Sequence, residues 1–130
     1  MEICTDYYPR NLPKGDRENN DCTIIAFAKV FNVDYKIVSD HLLKFGKKRN
    51  RGMTYTQIVA FLETLTKFKA IPVKGRLPKL QCKKFIQQNP TGTYFVTYNT
   101  HALAIIDGIL YDHSDTTRRF IENAWRIEKI

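Results

Sequence analysis

Cys22, His101 and Asp112 are the side chains whose types and places along the chain could together carry out nucleophilic acyl transfer. An isolated thiol has a pKa of about 8.5, so only a few per cent is thiolate at neutral pH. The positive end of a helix dipole and an adjacent imidazolium can lower that value by several units. Cys22 heads the stretch Cys22–Phe31, which is apolar almost all round, as a buried central helix is. Asn20 or Asp21 is a natural N-cap for it, which places Cys22 in the first turn. A lone Cys on an apolar helix is more often a small core residue. An imidazole brought to it makes the difference.

Ile106-Asp107-Gly108-Ile109 is the strongest hairpin signal in the chain, because Asp-Gly tolerates the positive φ of a type I′ turn. With Asp107 and Gly108 as turn residues, Ile106 faces Ile109. Continued outward, Leu103 faces Asp112 and His101 faces Ser114. His101, Leu103, Asp112 and Ser114 then project from one face, with His101 and Asp112 diagonal neighbours. Asp112 can hold the imidazole in the tautomer that leaves one nitrogen for a thiol. His113 falls on the other face with Tyr111, and so does Asp115, the nearest rival for the acid.

These residues must be positioned by the rest of the chain. Residues 1–20, with Pro9, Pro13, Gly15 and a polar cluster, read as an extended arm and loop. A second helix opens at the cap Asp34, places Ile37, Val38, Leu42 and Phe45 on one face, and stops at Gly46. At that spacing His41 reads as a packed structural histidine. The capping box Thr54-Tyr-Thr-Gln57 starts a third helix carrying Ile58, Val59, Phe61, Leu62 and Leu65. A short strand is expected at Ala70–Val73, and Pro78 opens a fourth helix, Lys79–Gln88, ended by Asn89-Pro90. Cys82 on that helix, between Gln81 and two lysines, reads as a surface or half-buried thiol, and Cys4 as incidental. After Gly92 the pattern turns β-branched and aromatic: Thr93–Tyr98, Ala102–Ile106, Ile109–His113, and a closing strand at Arg119–Ile127 with Trp125 as a lid over the core. Helices first and strands last make an α+β domain, a single one over residues 1–130.

Composition bounds the function. Hydrophobic residues make up 43% and charged residues 26%, which excludes wholesale disorder. No apolar run approaches the roughly 20 residues of a membrane span, and the N-terminus has no basic-then-apolar signal pattern, so a soluble intracellular protein is expected. Three cysteines without a Cys-x-x-Cys pair argue against a disulfide framework, and three scattered histidines against a zinc site. Twenty-one Lys and Arg against thirteen acids give a net charge of +8, which would attract nucleic acid or an acidic protein. The densest basic run, with Lys47, Lys48, Arg49 and Arg51, surrounds a Gly and reads first as a solvated loop.

Asn20-Asp21-Cys22-Thr-Ile-Ile-Ala-Phe-Ala resembles the nucleophile helix of papain-like cysteine peptidases. His101-Ala-Leu-Ala-Ile-Ile-Asp-Gly-Ile-Leu-Tyr-Asp112 resembles their histidine strand, hairpin and Asn/Asp strand, in the same Cys, His, Asp order. The likeness spans roughly residues 19–127 and is nearest to compact members, the bacteriocin-processing peptidases and small phage-encoded relatives. It implies a helical half with a central nucleophile helix followed by a small antiparallel sheet. It also implies a catalytic triad of Cys22, His101 and Asp112 hydrolysing a peptide or isopeptide bond, with no metal or cofactor. The family's oxyanion hole pairs the nucleophile's N–H with a Gln about six residues upstream. Here positions 16 and 17 are Asp and Arg, no Gln precedes Cys22, and the Asn20 amide is the expected substitute. The expected partner is a protein or peptide substrate, in the cytoplasm, or in the host cell cytoplasm for a virus-encoded chain. The alternative is a catalytically inactive member of the same fold that binds nucleic acid or an acidic protein through its basic surface.

Overall fold

A helix without a polar face must be surrounded, and the apolar run Cys22–Phe31 forms such a helix, α1, with Thr23 to Ala28 and Val30 all buried. The computed structural model describes residues 2–4, 20–74, 80–112 and 115–130. Helix α1 ends where Asn32 turns left-handed (φ 54°) and returns its N–H to Lys29. Helix α2, Tyr35–Lys44, begins after Asp34. Its buried side chains are Tyr35, Val38, Ser39 and Leu42, while Ile37 is 56% exposed. The apolar stripe is therefore shifted from the expected face, because Tyr35 rather than Ile37 reaches inward. His41 is exposed rather than packed, with the rings of Phe45 and Phe61 more than 6 Å away. Helix α3, Tyr55–Glu63, carries the expected capping box: the Gln57 N–H donates to Thr54 Oγ1 (3.2 Å) and the Thr54 N–H to Gln57 Oε1 (3.0 Å).

The strands are β1 (Glu2–Cys4), β2 (Phe68–Pro72), β3 (Thr93–Tyr98), β4 (His101–Ile106), β5 (Ile109–Tyr111) and β6 (Asn123–Lys129). They form one sheet in the order β1-β5-β4-β3-β6-β2, in which β1 alone pairs parallel, with β5. Part of the expected extended arm is thus an edge strand; Pro9, Pro13 and Gly15 lie outside the described residues. Strand β2 starts two residues before its expected position and β6 starts four residues after its own. Helix α4, Cys82–Gln88, begins at Cys82 instead of Lys79, with Gln81 bridged to Phe120; Pro78 and Lys79 lie outside the described residues.

Asp107 (φ 48°) and Gly108 (φ 79°) form the β4–β5 turn, and the register is the one this turn dictates: Ile106 with Ile109, Ile105 with Leu110, Ala104 with Tyr111. The sheet separates two cores. Helices α1, α2 and α3 cover one face through Phe27, Phe61, Phe95, Trp125, Ala102 and Ala104. Helix α4 covers the other through Cys82, Phe85, Val96, Leu103, Ile105 and Leu110. Side chains of β4 alternate between them, as strand pleating requires: alanines toward α1, large aliphatics toward α4. The alanines let α1 sit close to β4, and the stacked Phe27 and Phe95 rings (centroids 4.1 Å apart) pin it against β3. The result is a mixed α+β fold of four helices on a mainly antiparallel sheet. No described helix is long and apolar enough to cross a membrane.

Candidate active site

The close seating of α1 on β4 brings the N-terminus of one element to the N-terminus of the other, and these ends carry Cys22 and His101. The thiol of Cys22, partly exposed, lies 4.0 Å from the Thr100 carbonyl oxygen and hydrogen-bonds with the His101 ring. Burial by itself would raise the thiol's pKa. The hydrogen bond with His101, the Ala102 backbone N–H, the charge of His101 and the Thr23 hydroxyl outweigh it and hold the thiol below its ordinary value.

On its other side the imidazole meets the acid. Nε2 of His101 is 2.9 Å from Oδ1 and 2.8 Å from Oδ2 of Asp112, so the acid is met by one of the two ring nitrogens. Burial alone would lower the pKa of His101. The hydrogen bonds to Asp112 and Cys22, and the negative charge of both, instead push it up to about 9. A lowered thiol beside a raised imidazole shifts the pair toward thiolate and imidazolium, the reactive form of a cysteine nucleophile. The edge of the His101 ring relation is completed by Tyr98, whose ring stands roughly perpendicular at 5.4 Å. Burial and then the Asp112 charge raise the pKa of Tyr98, which keeps that phenol neutral.

The acid is 3% exposed, and a buried carboxylate needs donors. One of them was not legible in the sequence: the Thr116 hydroxyl donates to Oδ2 at 3.0 Å. Thr116 lies in an irregular loop, where no periodicity assigns a side chain to a face. Asp115, the rival acid, is exposed and accepts from the N–H and hydroxyl of Thr117, away from His101. His113 and Ser114, expected beside the hairpin end, lie outside the described residues.

Asn20, in the left-handed region (φ 54°), immediately precedes Asp21 and Cys22. Its amide donates to the Asn50 carbonyl at 3.2 Å, tying the mouth of α1 to the loop between α2 and α3. Asp21 does not cap the helix with its side chain; its carboxylate instead accepts from the Tyr35 hydroxyl at 3.0 Å, both groups buried, which fixes α2 against the same end of α1. The backbone N–H of Cys22, in the first turn, belongs to the orphan donors of a helix N-terminus and can face an oxyanion.

A groove of about 230 Å³ opens beside His101. The turn Asn99-Thr100 and the neighbouring His101 and Ala102 form one wall, and the start of α3, with Tyr55 and Ile58, forms another. Glu122 and Asn123 line it as well, and Glu122 Oε1 accepts the Asn99 N–H at 2.7 Å.

The other cysteine with a described side chain behaves differently. Cys82 is fully buried, deeper than the surface or half-buried position expected beside its lysine neighbours, of which Lys84 is exposed and Lys83 half-buried. Burial and the nearby Asp112 charge push its thiol up to about 12. The basic loop is also less uniform than expected. Lys47 is 2% exposed with Nζ donating to the Lys48 carbonyl, so only Lys48, Arg49 and Arg51 of that run face solvent. Among the described residues no group of three or more His, Cys, Asp or Glu side chains could hold a metal ion. Comparison with protein-family models, curated proteins and solved structures returned no match to this chain.

Proposed function

We propose that this chain is a papain-like cysteine acyl-transfer enzyme, in its simplest form a peptidase that hydrolyses a peptide or isopeptide bond. One observation carries the reading: the His101 ring hydrogen-bonds with the Cys22 thiol while its Nε2 is held by both oxygens of a buried carboxylate. In this reading the Cys22 thiolate attacks the substrate carbonyl carbon, forming the C–S bond and a tetrahedral oxyanion. The Cys22 N–H faces that oxygen, whereas the Asn20 amide expected beside it donates to the Asn50 carbonyl. The imidazolium of His101 gives its Nδ1 proton to the leaving amine as the C–N bond breaks, which leaves a thioester. Water then gives a proton to the neutral imidazole while attacking the thioester, and collapse releases the acid and restores the thiolate. Asp112 keeps the ring oriented and compensates its charge throughout.

Iodoacetamide labelling at pH 6, followed by mass spectrometry of the separate cysteines, tests this. Cys22 is expected to label at least tenfold faster than Cys82, and His101→Ala is expected to remove most of that advantage. Slow, equal labelling in the folded protein would overturn the enzyme reading and favour a binding module that uses the exposed Lys48, Arg49 and Arg51.

A further inference from the structure

The carboxylate that holds the imidazole is itself held. Asp112 lies just past the end of β5, and a carboxylate can rotate about its side-chain bonds to offer the ring a single oxygen. The structure shows both oxygens equidistant from Nε2, with Oδ2 also accepting from Thr116 Oγ1 at 3.0 Å. Thr116 is 2% exposed, and its place is set by the start of α4. The N–H groups of Cys82 and Lys83 donate to the carbonyls of Arg119 and Thr117, Gln81 Nε2 donates to the Arg118 carbonyl, and the Arg119 N–H closes the turn onto the Thr116 carbonyl. Three successive carbonyls of this turn, from Thr117 to Arg119, are thus anchored to one helix end, so the hydroxyl is presented from a rigid support rather than a loose loop.

We propose that Thr116 is a positioning residue for the imidazole: its hydroxyl fixes the Asp112 carboxylate so that both oxygens meet Nε2 of His101 and the opposite ring nitrogen stays on the Cys22 thiol. The inference deepens the enzyme reading and rests on it for its chemical meaning, though the placement itself can be measured without a substrate. The groups facing this pair from the surrounding elements are Cys22 of α1, Tyr98 of β3, Cys82 of α4 and, beyond Tyr98, Arg119 of the same turn. The Thr116 hydroxyl is hydrogen-bonded to the acid.

The experiment uses the full chain with Thr116→Val, which keeps the shape and removes the hydroxyl, Thr116→Ser, which keeps the hydroxyl and removes the methyl, and Thr116→Ala in case the valine variant does not fold. Two readings are taken on each folded variant: the NMR titration midpoint of the His101 ring and the Cys22 iodoacetamide rate at pH 6. The valine or alanine variant should lower the His101 midpoint by roughly one pH unit and slow labelling roughly five- to tenfold, with serine restoring both. Unchanged values in a folded valine or alanine variant overturn the proposal. So does a serine variant as impaired as valine, since that would assign the effect to packing of the methyl group. A wild-type Cys22 no more reactive than Cys82 would instead defeat the enzyme reading, while the His101 midpoints would still decide the role of Thr116.

Discussion

Nε2 of His101 and the carboxylate of Asp112 meet at 2.8 and 2.9 Å although the last ladder pair between their strands is Ala104 with Tyr111. The acid sits one residue beyond the last β4–β5 pair, and the contact closes the diagonal gap that strict strand geometry leaves between these positions. The contact is therefore a property of the strand end and its following loop as much as of the hairpin.

Asp112→Asn preserves the shape and removes the charge. The His101 titration midpoint is expected to fall from about 9 toward its ordinary value, because burial then acts with less to oppose it. The Cys22 thiol should rise correspondingly, and turnover of any peptide substrate should drop about a hundredfold or more. Ring titration by NMR and single-turnover acylation measure the two effects. A midpoint that stays near 9 would mean that the thiolate alone holds the proton on the ring.

Stability should respond to pH in a way that depends on whether the pair is intact. His101 is raised in the folded state, so its contribution is fully present below about pH 6.5 and is lost as pH rises through about 9. Cys22 is lowered, so its contribution is present above the ordinary thiol value and is lost as pH falls through the lower folded one. Where the two windows overlap the slopes oppose each other, because the folded state holds the extra proton on His101 and the unfolded state holds it on Cys22. Cys22→Ser removes one of them. Urea unfolding of that variant should show stability falling as pH rises above about 6.5, over a window that closes below 9 because the thiolate's share of the His101 shift is gone, whereas the wild type should vary less.

Gly108→Ala tests the turn that sets the register. At φ +79° a Cβ is strained, and it would also approach the Pro90 carbonyl oxygen to 3.4 Å. The variant should lose about 1 kcal/mol or more in chemical denaturation. Because β4 is also paired along its whole length with β3, the folded fraction should keep the Cys22 labelling rate of the wild type. A large loss of labelling in the folded state would show that the turn, rather than the β3 pairing, holds His101 in place.

Much of the local organisation was legible. The capping box of α3, the Asp-Gly turn with its register, and the position of Cys22 at the head of a buried helix all follow from short-range rules of hydrogen bonding, φ preference and periodicity. The failures have a common cause. Ile37 and Tyr35 are both apolar enough to claim the inner face of α2, and only the hydroxyl of Tyr35 reaching Asp21 decides between them. Cys82 reads as a surface or half-buried thiol because its neighbours are charged, yet the docking of α4 on the sheet, not the identity of adjacent residues, sets which side of a short helix is covered. Lys47 was read as one of four solvated cations, and its burial depends on a loop path that no repeat announces.

By itself the amino-acid sequence determined the thiol at a helix mouth, the Asp-Gly hinge, and the shared side of His101 and Asp112, since each is dictated by backbone sterics over a few consecutive residues. The tertiary structure alone decided that α1 rests on Ala102 and Ala104 closely enough for the thiol to reach the ring, and that Thr116 comes back to the acid. Those meetings depend on the volumes and packing of side chains far apart in the chain, and no local period encodes them.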